Sequence, residues 1–215
     1  TIMKRLINIA VVMVMSLAGM QNASARLTAA GAFADAPAPL FPLLDKNARL
    51  DMIDYFNSGS ATPTQNALQG KSRVTALTPD DIKIAMTDAS SYQISILPYG
   101  NDSIIAVIQT VAAPAHDSHI SFYNRRWEKM SAPLFKAPDL DAWLTSDGDK
   151  DASNVAALIP FMLAKYDYDN ATAVLTLTNN LQEFLSPDVY KMVSASIHPV
   201  LKYRWTGKMM EPMGK

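Results

Sequence analysis

Ser90-Ser91-Tyr92-Gln93-Ile94-Ser95-Ile96-Leu97-Pro98-Tyr99-Gly100-Asn101-Asp102-Ser103-Ile104-Ile105-Ala106-Val107-Ile108-Gln109-Thr110-Val111 is the stretch that decides the fold. In its first half Tyr92, Ile94 and Ile96 alternate with Ser91, Gln93 and Ser95. That period of two sends apolar groups to one face of a strand and hydroxyls or amides to the other. Pro98 to Asp102 supply turn chemistry. The run Ile104-Ile105-Ala106-Val107-Ile108 is then apolar at both parities, as in a strand covered on both faces. The pair belongs in the middle of an antiparallel sheet.

Working outward, Val74 to Thr78, Ile82 to Met86 and His119 to Tyr123 also read as strands, with Pro79-Asp80 and Thr87-Asp88 as short turns between neighbours. Connections this short imply a β-meander. Upstream, Pro42 can open a helical turn, and Asn47 is a plausible cap for a helix with Leu50, Ile53 and Phe56 on one face. Ala61 to Gly70, polar and interrupted by Pro63, reads as a loop.

Downstream, Ser146-Asp147-Gly148-Asp149-Lys150-Asp151 is a polar breakpoint. Ser153 could cap a short helix through Val155, Leu158 and Ile159. Tyr166 and Tyr168, then Ala173, Leu175 and Leu177, alternate with polar residues on either side of Asp169-Asn170, which predicts a hairpin with Asn at positive φ. Ser186-Pro187 starts a helix, and Val200 to Trp205 form a last strand that turns at Thr206-Gly207. The expected fold is α+β: a mainly antiparallel sheet with N-terminal helices and a C-terminal β-β-α-β unit.

The amino terminus has the pattern of an export leader. Lys4 and Arg5 precede an apolar run from Leu6 to Met20, and Ala23-Ser24-Ala25 offers small residues where a signal peptidase reads. Residues 1–25 are expected to be a signal peptide, 26–39 a flexible tether and 40–215 one domain, with a possible subdomain break near 146–152. No transmembrane segment is expected after cleavage, which predicts a periplasmic or secreted protein.

The chain has 215 residues, a formal net charge of -1 and no cysteine. Disulfide stapling, thiol catalysis, thiolate metal sites and lipid attachment at cysteine are thereby excluded. Near-neutral charge gives no field to gather nucleic acid.

Catalytic patterns fail one by one. Asp147, Asp149 and Asp151 are spaced like the start of a calcium loop, but Ala152 stands where the turn needs Gly and Leu158 where a bidentate carboxylate is needed. His116 and His119 run into a strand and point to opposite faces, and His198 has no nearby carboxylate in sequence, so no metal site is expected. There is no nucleophile elbow, and the glycines are scattered, which leaves no phosphate cradle and no expected cofactor. Asp80 with Asp81, and Asp139 with Asp141, could pair for glycoside chemistry but sit where caps and turns want them.

The remaining candidate is an aromatic-basic surface. Trp127 with Arg125 and Arg126, and Tyr203 and Trp205 with Lys202 and Arg204, could contact a carbohydrate, a peptide or a lipid headgroup. Tyr123 and Trp143 extend the set. The competing reading is core packing, because Leu201, Tyr203 and Trp205 share one strand parity.

Three segments carry a family resemblance: Leu40-Phe41-Pro42-Leu43-Leu44-Asp45-Lys46-Asn47-Ala48-Arg49-Leu50-Asp51-Met52-Ile53-Asp54-Tyr55, then Gly70-Lys71-Ser72 with Leu77-Thr78, and Lys202-Tyr203-Arg204-Trp205-Thr206-Gly207-Lys208. Together they resemble an uncharacterised family of small exported bacterial proteins, a domain of unknown function associated with Bacteroidetes. The resemblance spans about Pro39 to Met210. It implies export and an α+β fold, and it brings no catalytic residues. The expected function is a non-catalytic exported module that binds an envelope protein, a peptide or a glycan through an edge strand or an aromatic patch. The alternative is a polymer-directed hydrolase using carboxylates and a histidine.

Overall fold

A computed structural model describes residues 26–112 and 114–214. The expected leader, 1–25, lies outside them. The alternating and doubly apolar runs form two long strands, β4 (Ser90–Tyr99) and β5 (Asp102–Ala112), paired from Ser90–Val111 down to Tyr99–Asp102. Gly100 takes φ +58° at the first position of their two-residue loop, which a II′ turn reserves for glycine.

Four more strands complete a meander: β1 (Thr64–Gln65), β2 (Lys71–Leu77), β3 (Asp81–Thr87) and β6 (His116–Tyr123). The six-stranded sheet runs β1-β2-β3-β4-β5-β6, all antiparallel. β4 and β5 lie inside it, as the apolar run over Ile104–Ile108 requires.

Each face carries its own core. On one, α1 (Ala29–Asp35) and α2 (Lys46–Asn57) pack over Ile82, Ile84, Ile94, Ile96, Ile105 and Val107. Residues 26–39 were expected to be a tether and are not. Thr28 caps α1 by accepting the Gly31 N–H at 3.1 Å, and Ala29, Ala32, Phe33 and Ala34 are buried. Alanine is the strongest helix former and small enough for close packing, so the absence of charge marks a buried helix here.

The cap of α2 is Asp45, two residues before the expected Asn47, and its Oδ1 accepts from Ala48 N–H at 2.8 Å. Its buried stripe is Arg49, Met52 and Ile53, while Leu50 and Phe56 face outward. Arg49 explains the shift. Only 3% exposed, it donates from Nη1 to the carbonyls of Phe33 (3.0 Å) and Ala36 (2.7 Å), satisfying the open end of α1.

The other face meets a second, four-stranded sheet ordered β10-β9-β8-β7. Its strands are β7 (Ala164–Asp169), β8 (Val174–Asn179), β9 (Val200–Trp205) and β10 (Met210–Pro212). Five short helices complete this half: α3 (Leu140–Trp143), α4 (Ser146–Lys150), α5 (Ala152–Leu158), α6 (Leu181–Phe184) and α7 (Pro187–Val193). Leu97, Ala106, Ile108, Ile120 and Phe122 from the first sheet share a core with Trp143, Val155, Leu175, Leu177 and Trp205. That core draws on residues from both sides of 146–152. The fold is α+β with mainly antiparallel sheets.

Two local expectations change. The 146–151 run is a helical turn, with Thr145 Oγ1 accepting from Gly148 N–H at 3.2 Å. A Cβ on Gly148 would lie 2.2 Å from the Ser196 carbonyl oxygen, so that close approach is what the glycine permits. In the β7–β8 hairpin Ala173, at φ +56°, carries the positive φ in place of Asn170. The Asn170 Nδ2 donates instead to the Asp80 carbonyl at 2.7 Å.

Candidate functional site

The second sheet covers only part of the first. Its edge strand β7 crosses the meander, and its partners record the path. Ala164 N–H donates to Asp117 Oδ1 (3.2 Å) and Tyr166 N–H to Ser118 Oγ (2.9 Å) on β6, while Tyr168 meets Gln93 on β4. Asp167 pairs with Lys83 on β3. An edge strand would ordinarily expose these N–H groups; here side chains from the first sheet take them.

Gln93 is the centre of that seam. Its Nε2 donates to the Tyr168 carbonyl at 2.6 Å, and its Oε1 accepts from Tyr168 N–H at 3.1 Å, so one amide stands in for a neighbouring strand. The same Nε2 donates to Asp81 Oδ1 at 2.9 Å, and Ser95 Oγ donates to that oxygen as well. Gln93 and Ser95 are buried, although their alternation reads as a solvent face. Burial raises the Asp81 carboxyl above its ordinary range, against the hydrogen bonds from Ser95 and Gln93 and the charge of Lys83. Burial likewise pushes the Tyr166 and Tyr168 phenols up to about 12.

Beyond β7 the sheet face is open. A trough of about 300 Å³ has Thr75, Lys83, Ala85, Ser91 and Thr110 on its floor and Lys165 to Asp167 as its wall. It continues into a cleft of about 200 Å³ lined by Thr87, Asp88, Ser90 and His116. The residues of β2 on this side, Lys71, Arg73 and Thr75, are exposed, and neither Lys71 nor Arg73 has an ion-pair partner among the described residues.

The outer edge of β2 is the second feature. β1 pairs only with Lys71 and Ser72. Antiparallel alternation then identifies the free backbone groups. Asn66 N–H donates to the Gly70 carbonyl, so Ser72 turns its own groups toward β1 and Val74 turns to the same side. At the other end Thr78 N–H donates inward to Asp81, which leaves Leu77 facing out. The bulge between Val74 and Ala76 reconciles the two registers. Beside this edge lies an apolar cleft of about 210 Å³ formed by Met52, Tyr55, Phe56 and Val74 with the loop 60–62.

The expected aromatic-basic surface is not assembled. Tyr203 and Trp205 are buried between the sheets, where Trp205 lies near Phe122 at 6.2 Å between ring centroids and donates from Nε1 to the Pro98 carbonyl at 2.7 Å. Trp143 is core as well, 1% exposed. Trp127, at φ +62°, sits half-buried on a turn and packs on Tyr123 toward the other core. Arg125 pairs with Asp102, and Arg126 with Glu128. The two halves of the expected site thus belong to different cores. Strand parity already favoured burial for Tyr203 and Trp205, since a bulky aromatic on the covered face of a strand adds to core packing.

The histidines do not converge. His116 Nδ1 meets Glu183 at 3.3 Å, and His119 Nε2 meets Ser121 at 3.0 Å. Among the described residues no group of three or more His, Asp or Glu could hold a metal ion, and no helix is long and apolar enough to cross a membrane.

No curated protein matches this chain. Among solved structures, a domain of an uncharacterized protein from Porphyromonas gingivalis W83 is similar, with a TM-score of 0.75 and 18% identity over 86% of this chain and 98% of that one. At that identity the likeness is one of fold. Residues 21–210 match a family described as "Protein of unknown function (DUF3256)", and that span, most of the sequence, makes this chain a member of it.

Proposed function

We propose that this chain is an exported binding module which takes an extended polypeptide as an added strand along the outer edge of β2. One observation carries the reading: Val74 and Leu77 turn backbone N–H and C=O groups outward where β1 has ended, beside an open apolar cleft. Unpaired strand groups are satisfied by another extended chain, and a neighbouring pocket adds side-chain selection. A glycan is disfavoured because Tyr203 and Trp205, which could have offered a stacking platform, are spent in the core.

Hydrogen exchange tests this directly. A bound extended peptide should protect the Val74 and Leu77 amides, and Leu77→Pro, which removes an outward N–H while sparing the bonds to β3, should abolish binding. Peptides that bind without protecting those amides would remove the reading. Export is supported by the leader-like pattern of residues 1–25 and is tested by fractionation with N-terminal sequencing, Arg26 being the expected first residue. Cytoplasmic retention of the uncleaved chain would contradict it.

A second reading, hydrolysis, has one observation in its favour: the His116–Glu183 pair stands at the end of the trough, beside Ser90 and Ser91. No hydrogen bond joins His116 to either serine among the described residues. Turnover of ester or peptide substrates that is lost in His116→Ala would establish this reading over the first.

A further inference from the structure

We infer that the segment added to β2 is the free C-terminus of another polypeptide, ending on a large apolar residue whose carboxylate meets Arg73. This rests on the strand-addition reading above and specifies its ligand.

Room along the edge is limited. β1 holds the positions opposite Lys71 and Ser72, and the chain that leads into it, residues 60–62, lines the cleft beside Arg73 and Val74. An added strand can pair along Val74 to Leu77 and finds no free edge beyond Val74. A through-running segment would have to turn out of the sheet at that point. A chain that stops there makes no such turn.

Charge decides which end stops. A strand parallel to β2 would bring its first residue, and an ammonium, to Arg73; an antiparallel one brings its last residue and a carboxylate. Arg73 is exposed, lines the cleft and has no ion-pair partner among the described residues, so it favours the carboxylate. Both strands that β2 already pairs with are antiparallel to it. With Val74 turning its backbone groups outward, the last residue of the partner donates its N–H to the Val74 carbonyl. One terminal oxygen accepts the Val74 N–H in return, and the carboxylate's charge faces Arg73.

The same register selects the last side chain. Residues directly opposite one another send their side chains to the same face of a sheet. Val74 is 7% exposed and belongs to the core beneath α1 and α2, so the partner's last side chain turns to the helix side. There it meets the cleft of Met52, Tyr55 and Phe56, where Tyr55 and Phe56 are each 37% exposed and leave apolar surface open. The preceding side chain points the other way, past Thr75 and Ala76, and meets no charge from the free stretch. The bulge between Val74 and Ala76 breaks the regular edge and discourages a second copy of this chain from pairing along it.

The test uses the purified protein and four peptides of about six residues, each labelled at its N-terminus. The parent alternates Thr with Val and ends on Leu as a free acid. The second ends on the Leu amide, the third on Ala as a free acid, and the fourth is the parent N-methylated at its final residue. Relative to the parent, the amide and the Ala peptide should each bind about tenfold more weakly. The N-methylated peptide should not bind. Arg73→Gln should bring the acid down to the level of the amide and leave the amide unchanged, whereas Phe56→Ala should weaken acid and amide alike.

Equal affinity for acid and amide, with loss on N-methylation, would overturn the C-terminal reading and leave strand addition standing. Equal affinity for the N-methylated and parent peptides would overturn strand addition and this inference with it, as would no binding by any of the four. A dimer in solution that the parent peptide fails to dissociate, and to which it does not bind, would give the edge to a second copy and overturn the inference.

Discussion

Two strands of one sheet carry the same polar alternation and end in opposite circumstances. Ser91, Gln93 and Ser95 on β4, and Lys71, Arg73 and Thr75 on β2, face the same side of the meander. The first set runs under the second sheet, with Gln93 and Ser95 buried, and the other stays open. The difference lies in chemistry. An amide or hydroxyl can be buried once each of its hydrogen bonds has a partner, whereas an unpaired cation cannot be buried without a large desolvation cost. β7 therefore crosses where the sheet offers neutral hydrogen-bonding groups, and it leaves uncovered the part that carries Lys71 and Arg73.

The strongest way to break this contrast is Gln93→Leu. It strands the Tyr168 N–H and carbonyl and removes a donor from Asp81, at a residue only 5% exposed. Stranded buried groups cost about 1–3 kcal/mol each, so a loss of about 3 kcal/mol in urea unfolding is expected. A loss under about 1 kcal/mol would mean that the seam does not depend on the amide.

Trp205→Phe probes the same seam more gently. Phe keeps the ring packed near Phe122 but cannot donate to the Pro98 carbonyl. A loss of about 1.5 kcal/mol is expected from the lost hydrogen bond and the missing ring atoms. Thermal unfolding with an unchanged melting temperature would show that water reaches Pro98 in the variant.

Much of this architecture was legible beforehand, for reasons that differ by element. The run Ile104–Ile108 announced a doubly covered strand because no other placement buries both parities. Ser186-Pro187 announced α7 because capping is local chemistry, and the Ser186 hydroxyl accepts the Val189 N–H at 3.4 Å. Gln93 was not legible as a seam residue: alternation records polarity, and whether a polar face meets water or another sheet depends on residues about 75 positions away. Helix α1 was missed for a related reason. Its alanines show no amphipathic contrast, and only the neighbouring helix and sheet distinguish a buried segment from a mobile one.

The candidate site was legible only in its parts. Pro63 and the Lys71–Thr75 alternation stand in the sequence, but the outer position of β2 follows from the pairing of all six strands. The aromatic-basic patch failed because sequence proximity to arginine does not say which core a ring joins.

Asp81 tests the seam through pH. Burial raises its folded carboxyl above the ordinary range, so the native state holds that proton more tightly than the unfolded chain does. Stability from this group therefore falls as pH climbs from the ordinary carboxylate value through the raised folded one, and the penalty persists above it. Asp81→Asn keeps an oxygen that can accept from Ser95 and Gln93 while removing the charge. The variant should match or slightly exceed the parent at neutral pH and lose that advantage in acid below the ordinary carboxylate value. A larger advantage in acid than at neutrality would reverse the assignment.

The smallest expected effect on stability is the most informative about function. Arg73 is exposed on β2 and has no ion pair among the described residues, so Arg73→Gln should change unfolding free energy by less than about 0.5 kcal/mol. If the cations of β2 were kept to stabilise the fold, this substitution would cost as much as a change in the seam. A near-silent outcome in unfolding, together with weaker capture of an extended peptide, would place Arg73 on the binding side of the comparison. A loss near that of Gln93→Leu would show that both polar faces serve the fold, and the distinction between the two strands would fall.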